Sequence, residues 1–153
     1  MVSMSSMLQS PIQALVKPAM WLPFLRKCHS YSETWKIDAS PDEFTTSVLN
    51  ALRCLIEMDD VGSYYDVHTV ETEDGFIRIF VLTWAEWLDV IEIKRTGNKV
   101  KVSSFSTGLL PLCIPFACLL NCVFFWVPFF DFGFNKTRLE KLREAMSPGI
   151  LCK

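Results

Sequence analysis

The stretch YYDVHTVETEDGFIRIFVLTWAEWLDVIEIKRTGNKVKVSSFS, residues 64–106, sets the architecture of this chain. The turn sequences Asp-Gly (74–75) and Thr-Gly-Asn (96–98), with the aromatic link WAEW (84–87), divide it into segments rich in β-branched and aromatic residues. The four segments are YYDVHTVE (64–71), GFIRIFVLT (75–83), LDVIEIK (88–94) and KVKVSSFS (99–106). Strands joined by such short connections pair in antiparallel order, so the stretch predicts a four-stranded meander.

Two helices are predicted to cover this sheet. In SPDEFTTSVLNALRCLIEM, residues 40–58, Ser40 and Glu43 form a capping box that starts a helix. The apolar residues that recur at helical spacing on its face are Phe44, Val48, Leu52, Leu55 and Ile56. Near the end of the chain, Asn135 is predicted to cap a second helix. With a short strand at residues 35–38, the fold class is α+β: an antiparallel sheet of four to five strands covered by helices.

Between the last strand and the second helix lies LLPLCIPFACLLNCVFFWVPFF, residues 109–130, which carries no charge and is called the apolar run below. About 20 apolar residues is the usual length of a membrane-spanning helix. The central Asn121 and three prolines oppose a single straight span. Each arm flanking Asn121 reaches about 18 Å as helix, against a bilayer core of about 30 Å. Crossing would also separate the second helix from the sheet that it should cover.

We therefore predict an inserted apolar hairpin that dips into one leaflet and bends near Asn121. A true span and a buried core or protein-interface element are the alternatives. The predicted membrane-insertion residues are Leu109, Leu110, Ile114, Phe116, Leu119, Leu120, Phe124, Phe125, Trp126, Phe129 and Phe130.

The first part of the chain, residues 1–34, is predicted to be an acid-poor leader or interfacial segment. Residues 1–32 contain no Asp or Glu. Three interpretations stay open: an organellar transit peptide, an interfacial segment in which MWLPFLRK (20–27) meets lipid, and a leader that packs on the domain. Residues 35–146 are then one α+β domain that carries the membrane hairpin, and residues 147–153 are a tail.

The charge balance and the reactive residues exclude several classes of function. A net charge of -2 and a pI of about 5.7 create no field that favours nucleic acid. Six cysteines without a C-x-x-C pair, and two histidines, predict free thiols in a reducing compartment, with no metal site and no cofactor. His68 and Asp66 share a strand face, but no nucleophile motif accompanies them. No catalytic residue is therefore predicted, and the protein is expected to be non-enzymatic.

Two motifs bracket the apolar run: SSFSTG (103–108) before it and DFGFNKTR (131–138) after it. They resemble the uncharacterised family catalogued as domain of unknown function 1499, in which a strand with serines, often R-S-x-S-R-x-G, runs soon into D-x-G-x-N-x-x-R. The positions that match the second motif are Asp131, Gly133, Asn135 and Arg138. The first motif departs from the family, because Val102 and Thr107 stand near the places of its arginines.

The resemblance covers about residues 35–146, with the apolar run as an insertion. It implies a helix followed by strands. It also implies that the two ends of the run lie close together, because the family joins the two motifs by a short link. No activity is settled for that family, so the resemblance bears on fold more than on function.

A candidate site at the base of the run consists of Ser104, Ser106, Asp131, Asn135 and Arg138. In the functional interpretation these residues bind a lipid head group or a small anion, with Arg138 supplying the charge. In the structural interpretation Asn135 caps the helix and Asp131 pairs with Arg138.

Together these features predict a membrane-associated, non-enzymatic domain, anchored by the apolar hairpin and acting as an accessory subunit or a partner-binding module. Membrane lipid and a larger membrane protein complex are its expected partners, without nucleic acid. The alternatives are a lipid-binding or lipid-transfer domain whose hairpin is a membrane gate, and an enzyme that acts on a membrane-bound substrate. The expected location is the membrane of an organelle, a mitochondrion or plastid, or else the cytoplasmic face of a cellular membrane.

Overall fold

A computed structural model describes residues 2–59, 61–146 and 151–152 of the chain. The helices within them are α1 (Met4–Val16), α2 (Arg26–His29), α3 (Pro41–Glu57), α4 (Ala117–Val123) and α5 (Phe134–Ala145), with a 3-10 helix at Pro18–Met20. The strands are β1 (Ser30–Ile37), β2 (Tyr64–Glu71), β3 (Phe76–Leu82), β4 (Leu88–Thr96), β5 (Lys99–Ser106) and the two-residue β6 (Leu151–Cys152). The predicted tail, residues 147–153, lies outside the described residues except for β6.

The strands form one antiparallel sheet in the order β2-β3-β4-β5-β1-β6. The predicted meander of β2 to β5 and the α+β fold class are confirmed. β1 is longer than predicted, since it pairs with β5 from Ser30, opposite Phe105, to Lys36, opposite Lys99. The predicted boundary between leader and domain, at residues 34–35, therefore falls inside β1.

One face of the sheet is covered by α3 and α5. The predicted capping box starts α3: Ser40 Oγ accepts from the Glu43 amide at 3.3 Å, and the Glu43 carboxylate accepts from the Ser40 amide at 2.9 Å. The apolar faces of both helices pack on alternate residues of the strands, because successive strand side chains point to opposite faces. This main core consists of Trp35, Ile37, Phe44, Val48, Ala51, Leu52, Leu55, Ile77, Ile79, Val81, Ile91, Ile93, Val100, Val102, Leu139, Leu142 and Met146.

The opposite face of the sheet is covered in part by α1 and the apolar run. A second, smaller core there consists of Ala14, Phe80, Leu82, Leu88, Val90, Phe105, Leu112 and Ala117. Strands β3 and β4 thus bury apolar side chains on both faces, as strands between two layers do, while Arg78 and Glu92 form an ion pair on this second face at 3.1 Å. The N-terminal residues pack on the domain through this second core.

The apolar run contains one short helix, α4, with turns on either side. Two helical arms that bend near Asn121 are predicted, but Asn121 lies inside α4 and is only 2 % exposed. Its side chain accepts from the amide of Leu110 at 2.7 Å and donates to the carbonyl of Leu110 at 3.1 Å. Pro111 and Pro115 oppose a helical first arm, because proline has no N–H for the helix interior. Asn121 therefore satisfies backbone that a helix would otherwise have satisfied.

No helix in the described part of the chain combines the length and the apolar character that a membrane span requires.

Candidate functional site

A buried polar cluster joins the end of α2, β5 and α5 beside the apolar run. Asn135, with none of its surface exposed, is its centre. The Asn135 Oδ1 atom accepts from Ser104 Oγ at 2.5 Å and from Arg138 Nη1 at 3.3 Å. Its Nδ2 atom donates to the His29 carbonyl at 3.0 Å and to Ser106 Oγ at 3.2 Å. One side chain thus brings four of the five predicted site residues together.

Arg138 pairs with Asp89 of β4, a residue outside the predicted site. The Nη1 and Oδ2 atoms are 3.0 Å apart, and the two side chains are 8 % and 6 % exposed. Burial lowers the pKa of the Arg138 guanidinium, but Asp89 and Tyr65 outweigh burial and leave that pKa raised. Burial also raises the pKa of Tyr65 to about 12, so its phenol is neutral at physiological pH. The charge that the anion-binding interpretation assigns to Arg138 is already balanced by Asp89.

One feature of the sequence indicates that Asp89 has a specific partner. It stands in the continuous apolar segment of a central strand, between Leu88 and Val90, where a buried charge requires a partner. The partner itself lies far along the chain, so sequence alone does not identify it.

Asp131, the fifth predicted site residue, starts α5 instead of pairing with Arg138. Its carboxylate accepts from the amides of Gly133 and Asn135, both at 3.0 Å. Gly133 has a φ of 82°, the left-handed region that favours glycine. The predicted cap at Asn135 is wrong for this reason: Asp131 satisfies the first amides of α5, which frees the Asn135 side chain to bind the sheet.

A cavity of about 420 Å³ lies beside the polar cluster. Its wall includes Asp89, Arg138 and both ends of the apolar run, Leu109 and Phe130. The aromatic wall residues from the β3–β4 connection, from the end of the run and from the start of α5 with the turn before it are Trp84, Trp87, Phe129, Phe130, Phe132 and Phe134. Ligand sites typically enclose about 300–1,000 Å³ with mostly apolar walls and a few polar groups, and this cavity fits that description.

His29 attaches the returning end of the run to the start of β1. Its ring stacks on Phe129 with 4.5 Å between centroids, and its Nε2 atom donates to the Ala19 carbonyl at 2.9 Å. Because Nε2 carries the proton, Nδ1 is an acceptor, and it has no partner among the described residues. Burial lowers the pKa of His29 from its ordinary value of 6.5, so the imidazole is neutral at physiological pH.

None of the predicted membrane-insertion residues is buried. Phe116, Trp126 and Phe130 are 72 %, 60 % and 65 % exposed. The buried positions of the run are instead Leu112, Ala117, Cys118 and Asn121. The run therefore gives the core its smaller and polar side chains, together with one leucine, and leaves its largest side chains at the surface.

Within residues 2–59 and 61–146, no three His, Cys, Asp or Glu side chains are grouped closely enough to hold a metal ion. His68 is exposed and stacks on Phe80 with 4.2 Å between centroids, outside the cavity wall. The arrangement can hold a ligand by packing and hydrogen bonds.

Comparison with known protein families finds no family model that matches this chain, and comparison with curated proteins finds no significant match. The resemblance to domain of unknown function 1499 accordingly stays a prediction.

Proposed function

We propose that this protein is a membrane-associated, non-enzymatic domain that attaches to lipid through the apolar run and α1. The observation that carries the proposal is an inversion of polarity on one side of the molecule. There, large apolar side chains face outward and polar side chains face the protein. In water the hydrophobic effect favours the opposite arrangement, so such a surface is suited to contact with lipid.

Helix α1 has this inversion along its whole length. Met4, Leu8 and Leu15, which lie on one face at helical spacing, are 77 %, 70 % and 79 % exposed. The buried residues of the helix are Ser6, Gln9, Ser10, Gln13 and Ala14. A helix that packed on a soluble domain through its apolar face would show the reverse pattern.

The inward face of α1 is held by hydrogen bonds to the backbone around the apolar run. Gln9 Nε2 donates to the carbonyls of Leu112 and Ile114, both at 3.0 Å. Gln13 Nε2 donates to the Thr107 carbonyl, also at 3.0 Å. These bonds satisfy backbone groups that irregular structure near lipid must not leave unpaired. They also fix α1 and the run to each other as one unit.

The outward faces of α1 and of the run therefore form what we call the apolar surface. The Trp21 and Phe125 rings lie 5.2 Å apart and extend it towards α2. Phe24 is 72 % exposed there and precedes Arg26 and Lys27. Aromatic side chains next to cations, in a segment without acidic residues, suit the interface of an anionic membrane.

We propose that the apolar run forms the inserted hairpin as a compact loop with one short helix, in place of two helical arms. Both ends of the run line one cavity, which supports a loop that leaves the domain and returns to it. Its exposed side chains would enter one leaflet. We propose an accessory role beside a membrane protein complex, in an organellar membrane because residues 1–32 are acid-poor, with the cytoplasmic face of another membrane as the alternative.

Vesicle flotation tests the attachment. Phe116→Ser combined with Leu119→Ser removes two exposed apolar side chains of the run, which are 72 % and 61 % exposed. Burial of each contributes about 1.5 kcal/mol or more, so the pair should weaken binding to anionic vesicles about a hundredfold. The matched control is Ile56→Ser with Met58→Ser, two exposed residues at the end of α3, 44 % and 50 % exposed.

The control variant should float with the vesicles as the unsubstituted protein does. Flotation of the run variant at the unsubstituted level would contradict membrane attachment through the run. Circular dichroism of each variant checks that the fold is retained.

A further inference from the structure

We propose that the cavity at the base of the apolar run binds the chain of a single-chain anionic amphiphile, such as a fatty acid, with its head group beside Lys141. The inference extends the proposed function, because a membrane-attached domain would take such a ligand from the bilayer. Four features of the cavity support it: the apolar wall, the pairing of its carboxylates and guanidinium within the protein, a cation near its opening, and an exposed aromatic rim.

The wall suits a hydrocarbon chain. Leu55 of α3, Leu109 and Phe129 of the run, and Trp87 before β4 approach the cavity from different elements. The volume of about 420 Å³ is that of a small-molecule site. Hydrocarbon placed here contacts apolar side chains and leaves water, which is the dominant favourable term for such ligands.

The carboxylates and the guanidinium of the wall are partnered within the protein. Asp89 pairs with Arg138 at 3.0 Å, and Asp131 accepts from the amides of Gly133 and Asn135 at the start of α5. Asp59 accepts from the amide of Val61 at 3.0 Å. A charged head group placed among them would displace a protein bond, so the interior selects an uncharged chain.

Lys141 differs from the other charged residues of the wall in its exposure to solvent. It is exposed, one turn of α5 beyond Arg138, and within residues 2–59 and 61–146 it forms no ion pair. An ammonium group at the edge of an apolar cavity complements a carboxylate head that stays in water.

The rim is aromatic and strongly exposed. Trp84 is 71 % exposed and Phe132 is 91 % exposed. Phe132 also has a φ of 53°, a left-handed conformation that a bulky residue adopts rarely. Exposed aromatic side chains around an opening suit the boundary between lipid and water, where an amphiphile would enter.

Calorimetric titration with dodecanoate below its micelle concentration, without vesicles, tests the inference on the full chain. Val61→Trp places a large ring at a wall position that is 55 % exposed in the unsubstituted protein, and should weaken binding at least tenfold. Val67→Trp, at a β2 position outside the cavity wall and 39 % exposed, is the matched control and should bind as the unsubstituted protein does. Lys141→Gln should weaken dodecanoate binding about threefold, and dodecylamine, with the same chain and a cationic head, should bind several-fold more weakly than dodecanoate.

The outcomes separate this inference from membrane attachment. Loss of dodecanoate binding in Val61→Trp with unchanged flotation would support a ligand site distinct from the apolar surface. Absence of dodecanoate binding in a protein that floats with vesicles would overturn the inference and leave the proposed function standing. Equal affinity for dodecylamine, or equal loss in Val67→Trp, would equally overturn it.

Discussion

Replacement of Asn135 by alanine should destabilise the domain more than any surface change. Asn135 connects three elements: it binds Ser104 and Ser106 of β5, the carbonyl of His29 before β1, and Arg138 of α5. Alanine removes all four hydrogen bonds and leaves their partners buried. Because Ser104, Ser106, His29 and Arg138 are all buried, the cost includes the desolvation of the groups left unpaired.

The magnitude follows from the kinds of bond. A hydrogen bond between neutral groups contributes about 0.5–1.5 kcal/mol, and one to a charged group contributes about 1.5–3 kcal/mol. Three neutral partners and one guanidinium lead us to expect a loss of about 4 kcal/mol. Domains are stable by about 5–15 kcal/mol in total, so this single change removes a large part of that free energy.

Urea unfolding followed by tryptophan fluorescence, in a mild detergent that covers the apolar surface, measures the loss. Thr137→Ala is the control, because Thr137 lies two residues further along the same helix and is exposed. It should change the free energy of unfolding by less than about 0.5 kcal/mol. A loss of less than about 1 kcal/mol in Asn135→Ala would refute the reasoning, since it would mean that water replaces these bonds in the folded protein.

Three further changes test other contacts. Arg138→Met should cost about 3–5 kcal/mol in urea unfolding, because it leaves Asp89 buried and unpaired, and the double variant Asp89→Leu with Arg138→Met should recover most of it; a double variant as unstable as the single one would count against a buried pair. Gly108→Ala should cost about 1–3 kcal/mol, since a Cβ there would lie 2.4 Å from the amide carbon of Asn121; stability equal to that of the unsubstituted protein would show that the run does not pack as described. The pKa of His29 is lower in the folded than in the unfolded chain, whose value is near 6.5, so its contribution to stability is present above pH 6.5 and is lost as the pH falls towards the folded pKa. His29→Gln should flatten that pH dependence in urea midpoints measured on either side of pH 6.5, and an unchanged slope would exclude His29 as its source.

The sheet and its covering helix were predictable because their signals are local. Alternation of side chains, the turn at residues 74–75 and the Ser40–Glu43 box each act within a few residues. β1 was predicted only in part. Its first residues, SYSET, are polar and lack alternation, and they become a strand because β5 offers them an edge to pair with.

The sequence predicted which residues form the candidate site, but not which of them bind one another. The motif residues Ser104, Ser106, Asn135 and Arg138 do meet. Their contacts differ from the predicted ones, because Asp89, which balances the guanidinium, lies on β4 and comes next to α5 only when the sheet is assembled. The cavity beside them likewise requires elements from four parts of the chain.

The amino-acid pattern sufficed for the fold class, the order of β2 to β5, the start of α3 and the existence of a charge-free run, since each depends on neighbours in the chain. Packing between distant segments determined the rest: which side of the run faces outward, that α1 turns its glutamines inward, and which carboxylate pairs with Arg138. Periodicity distinguishes the two faces of a helix. Which of the two packs on the protein depends on the backbone groups of the segment that the helix contacts. For α1 those groups are the carbonyls of Leu112 and Ile114 in the proline-interrupted run, which accept from Gln9, and the carbonyl of Thr107 just before the run, which accepts from Gln13.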